Sequence, residues 1–169
     1  MANILFVCTG NAARSVMAVS MMRRLQPGLD IRGAGTFSIP GLPMSQRTRE
    51  ALSQMDLADP HHRSHQLENK DCDWAHLIVV FESEHVDYIR RNFPEASCIT
   101  GTLPRLAKYL KPSEIDLASR VAGLQLEEVE IESWEEVEDP AGGDQSIFDA
   151  CAREINVYVS TLAENLNGL

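Results

Sequence analysis

Short apolar runs alternate with amphipathic segments along most of the chain. Residues 3–7 and 76–81 are almost wholly apolar, as is typical of strands buried on both faces of a parallel sheet. Residues 31–37 and, more weakly, 98–102 predict two further strands. Because strands and helices alternate, the pattern predicts right-handed strand–helix–strand units. We therefore expect a single α/β domain with a parallel sheet and helices on both faces.

Apolar residues at helical spacing predict the helices of the first half of the chain. The first helix begins near Ser15 and ends at Pro27, and Met17, Met21 and Leu25 mark its apolar face. A second helix is expected to run to about residue 55 and a third to about residue 93. Serine is a favoured N-cap residue because its hydroxyl accepts a hydrogen bond from a free amide of the first turn. The expected N-caps of these two helices are Ser45 and Ser83.

The second half of the chain has one strong helical pattern and one ambiguous stretch. Residues 112–122 predict a short helix, and the acidic residues 127–138 predict an edge strand because Val129 and Ile131 alternate with acidic residues. Asp144 is the expected N-cap of a long final helix, with Gly168 past its end. The apolar stripe of this helix is expected to comprise Ile147, Cys151, Ile155, Val159, Leu162 and Leu166.

Composition and charge narrow the function classes. The 169 residues suffice for one compact domain, and the net charge of −10 argues against binding to nucleic acid or to anionic membranes. The first residues lack a basic region, and no apolar stretch approaches the roughly 20 residues that cross a bilayer. The four cysteines form no CxxC pair, which favours free thiols in a reducing compartment. We therefore expect a cytoplasmic protein.

The loop between the first strand and the first helix carries the candidate chemistry. Ligands of doubly wound sheets bind beyond the carboxyl ends of strands, where this loop is expected to lie. Its amides can surround an oxyanion, and the helix N-terminus adds partial positive charge. Gly10 and Asn11 tolerate the backbone angles that such a loop requires. The expected phosphate-binding residues are Thr9, Gly10, Asn11, Ala12, Ala13, Arg14 and Ser15.

Cys8 and Arg14 are the residues of this loop that suit phosphoryl transfer. Inward amides, a helix N-terminus and a guanidinium favour the reactive thiolate of Cys8 over the thiol. Arg14 can bind two phosphoryl oxygens at once, and a hydroxyl of Ser15 or Thr9 can bond to the thiolate. The structural alternative is a buried cysteine beside a Gly-Asn turn. It leaves Arg14 unexplained, because the helix dipole disfavours a cation at a helix start.

Together, these residues resemble the signature of the low-molecular-weight protein-tyrosine phosphatase family, which includes thioredoxin-linked arsenate reductases. The resemblance covers most of the chain except about residues 103–138, an extended segment in the sense that it is longer than usual for the family. It implies the strand order 2-1-3-4 and a general acid at Asp139, although an Asp-Pro pair is also a common turn initiator. The further similar segments are Gly33-Ala34-Gly35-Thr36, Gly41-Leu42-Pro43-Met44, His62-Arg63-Ser64-His65-Gln66-Leu67 and Asp139-Pro140.

This sequence departs from the family pattern at the loop and at the acid. Ala13 stands where many members have a second cysteine, so a protective disulfide with Cys8 is unavailable. Residues 141–143 are Ala-Gly-Gly, where the tyrosine phosphatases usually place an aromatic residue against the substrate ring. A substrate wall is then expected from Phe37 or Ile39.

The resemblance implies a phosphatase that needs neither metal nor cofactor and acts on phosphomonoesters. Phosphotyrosine on proteins is the expected substrate, with phosphoarginine and other phosphate esters open. An arsenate reductase is disfavoured because Cys72 and Cys98 lie far apart in sequence. A phosphate-binding module without catalysis is the remaining alternative. The histidines at 61, 62 and 65 are expected to be solvent-exposed rather than metal ligands.

Overall fold

A four-stranded sheet forms the centre of the computed structural model, which describes residues 1–167. Neighbouring strands are parallel throughout, in the order β2-β1-β3-β4. This confirms the predicted α/β fold and the strand order that the resemblance implied. The strands are β1 (Asn3–Cys8), β2 (Asp30–Gly35), β3 (Leu77–Val80) and β4 (Thr100–Thr102).

Helices follow the strands and cover the sheet. The N-caps expected at Ser45 and Asp144 are confirmed, because their side chains accept the amides of Thr48 and Ile147. Ser83 is not a cap; Glu82 occupies that position and Ser83 is the first helical residue. The helices are α1 (Arg14–Leu25), α2 (Gln46–Ser53), α3 (Asn69–Trp74), α4 (Ser83–Asn92), α5 (Leu103–Tyr109), α6 (Leu117–Ala122) and α7 (Gln145–Asn165).

The strands are buried on both faces, which explains their continuous apolar character. Ile4 and Phe6 belong to the core that the sheet forms with α1 and α7. Leu5 and Val7 point the other way and pack with residues of α3 and α4. Each fully buried aliphatic or aromatic side chain contributes about 1.5–3 kcal/mol of burial free energy. Both layers therefore fix the carboxyl ends of the strands, where the candidate loop begins.

Several predicted elements differ from the observed ones. The second strand ends at Gly35, because the amides of Thr36 and Phe37 turn to bind the carbonyl oxygens of Cys8 and Thr9. The predicted helix over residues 112–122 begins only at α6. The edge strand predicted over residues 127–138 is wrong: this segment contains the 3₁₀ turns Leu126–Glu128 and Ser133–Glu135. Helices α3 and α5 were not predicted.

The predicted apolar stripes hold except at helix ends. The stripe residues Cys151, Ile155, Val159 and Leu162 of α7 are buried, as is Leu166 directly after it, whereas Ile147 in the first turn is exposed. Leu25, the last residue of α1, is exposed as well. Gly168, expected beyond α7, lies outside the described residues. In the part of the chain that the structure describes, no helix is long and apolar enough to cross a membrane.

Candidate active site

The loop that follows β1 lies at the carboxyl edge of the sheet. Cys8 is the last residue of β1, which lies between β2 and β3, and Arg14 is the first residue of α1. The chain leaves β1 toward β2 on one side and later crosses to β3 on the other. Such a reversal of strand order opens a crevice beyond the strand ends. The structure therefore brings the predicted phosphate-binding residues to the place expected for a ligand.

The carbonyl groups of this loop are bound from outside. The carbonyl oxygens of Cys8 and Thr9 accept the amides of Thr36 and Phe37, each at 2.9 Å. That of Ala12 accepts the hydroxyl of Thr48 at 3.0 Å. Because a peptide's carbonyl and N–H point in opposite directions, outward carbonyls turn amides toward the loop centre. Among the described residues, no acceptor takes the amides of Gly10, Asn11, Ala12 and Ala13.

Asn11 holds the centre of the loop in shape. Its φ of 52° lies in the left-handed region, which Asn tolerates better than most residues. The backbone amide of His65 donates to its side-chain oxygen at 3.0 Å, and the hydroxyl of Ser64 donates to its carbonyl oxygen at 3.0 Å. Gly35 allows this packing, because a Cβ there would lie 2.5 Å from the carbonyl oxygen of Thr9. Protein contacts on several sides therefore set the shape of the loop.

A chain of two hydrogen bonds ends on the thiol of Cys8. The side-chain amide of Asn11 donates to the hydroxyl oxygen of Ser15 at 2.7 Å. The Ser15 oxygen lies 3.0 Å from the sulfur of Cys8. Because the hydroxyl already accepts from Asn11, its own hydrogen is available for the sulfur. A donor in this position stabilises a thiolate more than a thiol.

Arg14 is a buried cation that the protein holds by one end. Only 2% of its side chain is exposed. Its Nη1 donates to the carbonyl oxygen of Val137 at 2.8 Å and lies 3.1 Å from Oε1 of Glu82. Burial raises the pKa of Glu82, and the neighbouring Arg14 offsets part of this rise. Nη1 thus faces two protein acceptors, and Nη2 donates to the Thr9 hydroxyl oxygen at the longer distance of 3.4 Å. Nε has no acceptor among residues 1–167 and can bind an oxyanion together with Nη2.

Asp139 lies on the far side of the guanidinium. Its Oδ2 is 3.6 Å from Nη2 of Arg14, and 43% of its side chain is exposed. Oδ1 accepts the amide of Ala141 at 3.0 Å, which is the turn that an Asp-Pro pair commonly starts. One oxygen of Asp139 thus stabilises the turn while the other faces Arg14. The carboxyl group is in contact with solvent and can reach a group bound at Arg14.

Phe37 and Ile39, the expected substrate wall, are both largely exposed to solvent. The amide of Phe37 binds Thr9, which places Phe37 at the rim of the loop, but its side chain is 85% exposed. Ile39 is 67% exposed. After Pro140, the segment from Ala141 to Gly143 carries no aromatic ring. Residues 141–143 therefore offer no ring to a bound side chain, and Phe37 is the exposed ring nearest in sequence to a loop contact.

Two of the three histidines near residue 60 are less exposed than predicted and contact other residues. His62 is half-buried, and its Nε2 lies 2.8 Å from the carbonyl oxygen of Asn11. His65 contacts Asp71 at 2.8 Å, and only His61 is exposed. The predicted exposure is wrong for His62 and His65 because this segment packs against the loop. Within residues 1–167, no group of three or more His, Cys, Asp or Glu side chains could hold a metal ion.

The other cysteines lie in different environments from Cys8. Burial, with the nearby Asp71 and Asp73, raises the pKa of Cys72 to about 11. Burial also raises the pKa of Cys151 to about 12, so both residues remain protonated thiols near neutral pH. Cys98 is exposed and precedes β4, at the opposite edge of the sheet from Cys8.

Several residues of the site were missed by the sequence analysis. Glu82 and Val137 hold Arg14, Thr48 holds the loop from α2, and His85 lies 2.9 Å from the hydroxyl of Thr9. His85 is the most notable, since it is fully buried on α4. A polar residue at an inward position of an amphipathic helix could have drawn attention to it. Nothing in the sequence indicates its partner.

Comparison with known proteins identifies relatives of this chain. The family model for low molecular weight phosphotyrosine protein phosphatase matches residues 3–118. A protein-arginine-phosphatase of Geobacillus stearothermophilus is 32% identical over 164 residues, covering 96% of this chain and 95% of that protein. The low molecular weight protein-tyrosine-phosphatase PtpB of Staphylococcus epidermidis is 25% identical and covers 86% of each chain.

A solved structure shares the architecture over nearly its whole length. It is a YwlE arginine phosphatase, a cysteine-to-serine mutant with a phosphorylated active-site serine. It superposes with a TM-score of 0.76 at 25% identity, over 97% of this chain and 95% of the other. This chain belongs to the low molecular weight phosphotyrosine protein phosphatase family. It is a phosphatase, which confirms the family and the enzyme class that the sequence predicted.

Proposed function

We propose that Cys8 is the nucleophile of this phosphatase and that the reaction passes through a phosphocysteine. The Cys8 thiolate attacks phosphorus, the bond from phosphorus to the leaving atom breaks, and Asp139 gives that atom a proton. Asp139 then takes a proton from water as the water oxygen attacks phosphorus. The sulfur–phosphorus bond breaks, and phosphate leaves with the thiolate restored. No metal takes part in these steps.

The inward amides around Cys8 are the observation that carries this proposal. Four amides of the loop have no acceptor among residues 1–167, the Ser15 hydroxyl lies 3.0 Å from the Cys8 sulfur, and Arg14 ends the loop at the start of α1. Donors arranged before the reaction stabilise the charge that develops on the transferring phosphoryl group. The phosphorylated serine in the relative described above supports the same position for the covalent intermediate.

Replacement of Cys8 by serine tests the mechanism directly. The Cys8→Ser variant should lose turnover of para-nitrophenyl phosphate while still binding inorganic phosphate. Rapid acid quenching of the unmodified protein with substrate should leave one phosphoryl group on the peptide that contains Cys8. The matched control is Cys98→Ser, an exposed cysteine at the opposite edge of the sheet. Turnover by Cys8→Ser at the normal rate would refute the proposal.

We further propose phosphoarginine on proteins as the preferred substrate. Glu138 and Asp139 are adjacent exposed carboxylates, and Asp139 lies 3.6 Å from Nη2 of Arg14, so both can attract the cationic guanidinium group of a phosphoarginine substrate. Opposite charges attract, and a carboxylate can bind two guanidinium hydrogens. The relative that covers 96% of this chain carries the name protein-arginine-phosphatase, which supports the same choice.

Phosphotyrosine, the substrate expected from the sequence, is the second candidate because Phe37 lies exposed at the rim. Stacking on this ring contributes about 0.5–1.5 kcal/mol to binding of an aromatic substrate. Peptides of one sequence carrying either phosphoarginine or phosphotyrosine should be compared by kcat/KM. We expect the phosphoarginine peptide to react faster and Glu138→Gln to slow it selectively. A phosphotyrosine preference that Phe37→Ala removes would establish the second candidate instead.

A further inference from the structure

Thr9 is the first residue of the loop, and its hydroxyl group meets two other side chains. Nε2 of His85 lies 2.9 Å from the Thr9 oxygen, and Nη2 of Arg14 lies 3.4 Å from it. His85 comes from α4, so this contact joins two elements that are 76 residues apart in the sequence. The mechanism described above uses neither the Thr9 hydroxyl nor His85.

The surroundings of His85 fix which of its nitrogens carries the proton. The backbone amide of Phe81 donates to Nδ1 at 3.2 Å, so Nδ1 must be the unprotonated nitrogen. Nε2 then carries the hydrogen and donates it to Thr9. Burial, with a smaller effect of Arg14, lowers the pKa of His85 to about 3. The ring is therefore neutral near pH 7, and this tautomer is the one that donates to Thr9.

The hydroxyl of Thr9 consequently has one hydrogen to give. A hydroxyl has two lone pairs and one hydrogen. One lone pair accepts from His85 and the other faces Arg14, so the hydrogen points away from both. Thr9 is half-buried, and no acceptor among residues 1–167 takes this hydrogen. A bound group at the loop opening can accept it.

We propose that the Thr9 hydroxyl donates a hydrogen bond to the bound phosphoryl group, and that His85 is the positioning residue that orients it. This rests on the proposed function, in which Arg14 binds phosphoryl oxygens through Nε and Nη2. Because Thr9 lies 3.4 Å from Nη2, an oxygen bound at Nη2 is within reach of the hydroxyl. A neutral donor such as His85 orients Thr9 without adding a second buried cation beside Arg14.

The affinity for inorganic phosphate, measured by isothermal titration calorimetry, tests the Thr9 part. A hydrogen bond to a charged group is worth roughly a tenfold to hundredfold change in affinity. Thr9→Val keeps the shape and removes the hydroxyl, so Kd should rise by that factor. Thr9→Ser keeps the hydroxyl and should stay within about threefold of the unmodified protein. An unchanged Kd in Thr9→Val overturns the proposal.

A double-mutant cycle tests the His85 part. His85→Phe should weaken phosphate binding in the unmodified background and have no further effect in Thr9→Val, because His85 acts only through Thr9. Equal weakening in both backgrounds would show that His85 supports the fold alone. If His85→Phe fails to fold, the comparison of Thr9→Val with Thr9→Ser still decides whether the hydroxyl binds phosphate.

These outcomes are separate from the failure of the proposed function. If phosphate binding survives Arg14→Ala unchanged, or Cys8→Ser retains turnover, the proposed loop chemistry fails. If those two variants behave as expected and Thr9→Val binds phosphate normally, only the role of Thr9 and His85 is lost.

Discussion

Nη1 of Arg14 donates a hydrogen bond to the carbonyl oxygen of Val137 at 2.8 Å, across 123 residues of sequence. This contact joins the loop after β1 to the segment that leads into Asp139. Because the same nitrogen also faces Glu82, the guanidinium is held tightly at Nη1, whereas Nη2 makes only the longer contacts to Thr9 and Asp139. The position of the guanidinium edge that we propose binds phosphate therefore depends on a segment with no regular strand or long helix.

Arg14→Lys should remove most activity without unfolding the protein. One ammonium group cannot bind Val137 and Glu82 and also present two parallel donors to a phosphoryl group. We expect kcat for para-nitrophenyl phosphate to fall by roughly 10²–10³, the usual effect of losing a donor to transition-state charge. Arg24→Lys, an exposed arginine on the same helix, is the control. A kcat within threefold of normal in Arg14→Lys would contradict this assignment.

Glu135 anchors the segment that carries Val137. It is fully buried, and both of its oxygens bind Arg105, at 2.7 Å and 3.0 Å. Thr102 and the amide of Glu132 donate to it as well. Glu135→Gln should reduce the free energy of unfolding at pH 7 by about 2–4 kcal/mol, because it leaves Arg105 without its partner. Urea denaturation measures this, and the exposed Glu132→Gln should change it by less than about 1 kcal/mol.

The carboxyl group of Glu135 also makes the free energy of unfolding depend on pH, and the direction of this dependence follows from its pKa. Burial alone would raise the pKa of Glu135, but the hydrogen bonds from Arg105, Glu132 and Thr102 outweigh it and lower the pKa. A carboxyl group with a lowered folded-state pKa stabilises the fold above its unfolded pKa of about 4.3, and this stability is lost as the pH falls through the folded value. The difference between the unmodified protein and Glu135→Gln should therefore shrink on acidification. If the two proteins differed in the free energy of unfolding by the same amount at pH 7 and at pH 3, this role of Glu135 would be contradicted.

The sequence predicted the sheet and the loop because their signals are local. Continuous apolar runs mark buried strands, and the spacing of Cys8, Gly10, Asn11 and Arg14 places loop residues between a strand and a helix. Strand order came from the resemblance rather than from the pattern. The prediction that the loop amides face a phosphate already requires the loop carbonyls to point outward. The groups that bind these carbonyls, on Thr36, Phe37 and Thr48, could not be predicted from the sequence.

The errors arise where distant contacts override local preference. The alternation around Val129 and Ile131 resembles a strand, but Arg105 binds Glu135 and the amide of Val137 binds the carbonyl oxygen of Phe81 at 2.7 Å. These contacts draw the segment over the end of the sheet instead of along its edge. The roles of Glu82 and His85 depend on where α4 begins relative to the loop, which no local pattern encodes.

Ser15→Ala should make Cys8 less reactive. The Ser15 hydroxyl lies 3.0 Å from the sulfur and is oriented by Asn11, so its loss removes one donor that favours the thiolate. The rate of alkylation of Cys8 by iodoacetamide at neutral pH should therefore fall. Ser20→Ala is a matched control: this serine is buried on the same helix, and its hydroxyl has no partner among the described residues. Equal alkylation profiles for Ser15→Ala and the unmodified protein would exclude the role.

The role proposed for Asp139 predicts a dependence on the leaving group. An acid that protonates the departing oxygen matters little when that oxygen leaves readily as an anion and much when it does not. Asp139→Asn should therefore lower kcat/KM by about tenfold or less for para-nitrophenyl phosphate and by about a hundredfold or more for an alkyl phosphate. A series of aryl phosphates of increasing leaving-group basicity measures the slope.

The control for this series is Glu127→Gln, an exposed carboxylate of the same acidic segment. It keeps the overall charge change equal to that of Asp139→Asn, so a general electrostatic effect on anionic substrates would appear in both variants. Only a proton donor at the leaving oxygen produces a steeper dependence on leaving-group basicity. If the dependence of kcat/KM on leaving-group basicity had the same slope in Asp139→Asn and in the unmodified protein, another residue would have to be the acid. Asp139 would then only stabilise the turn in which it binds the amide of Ala141.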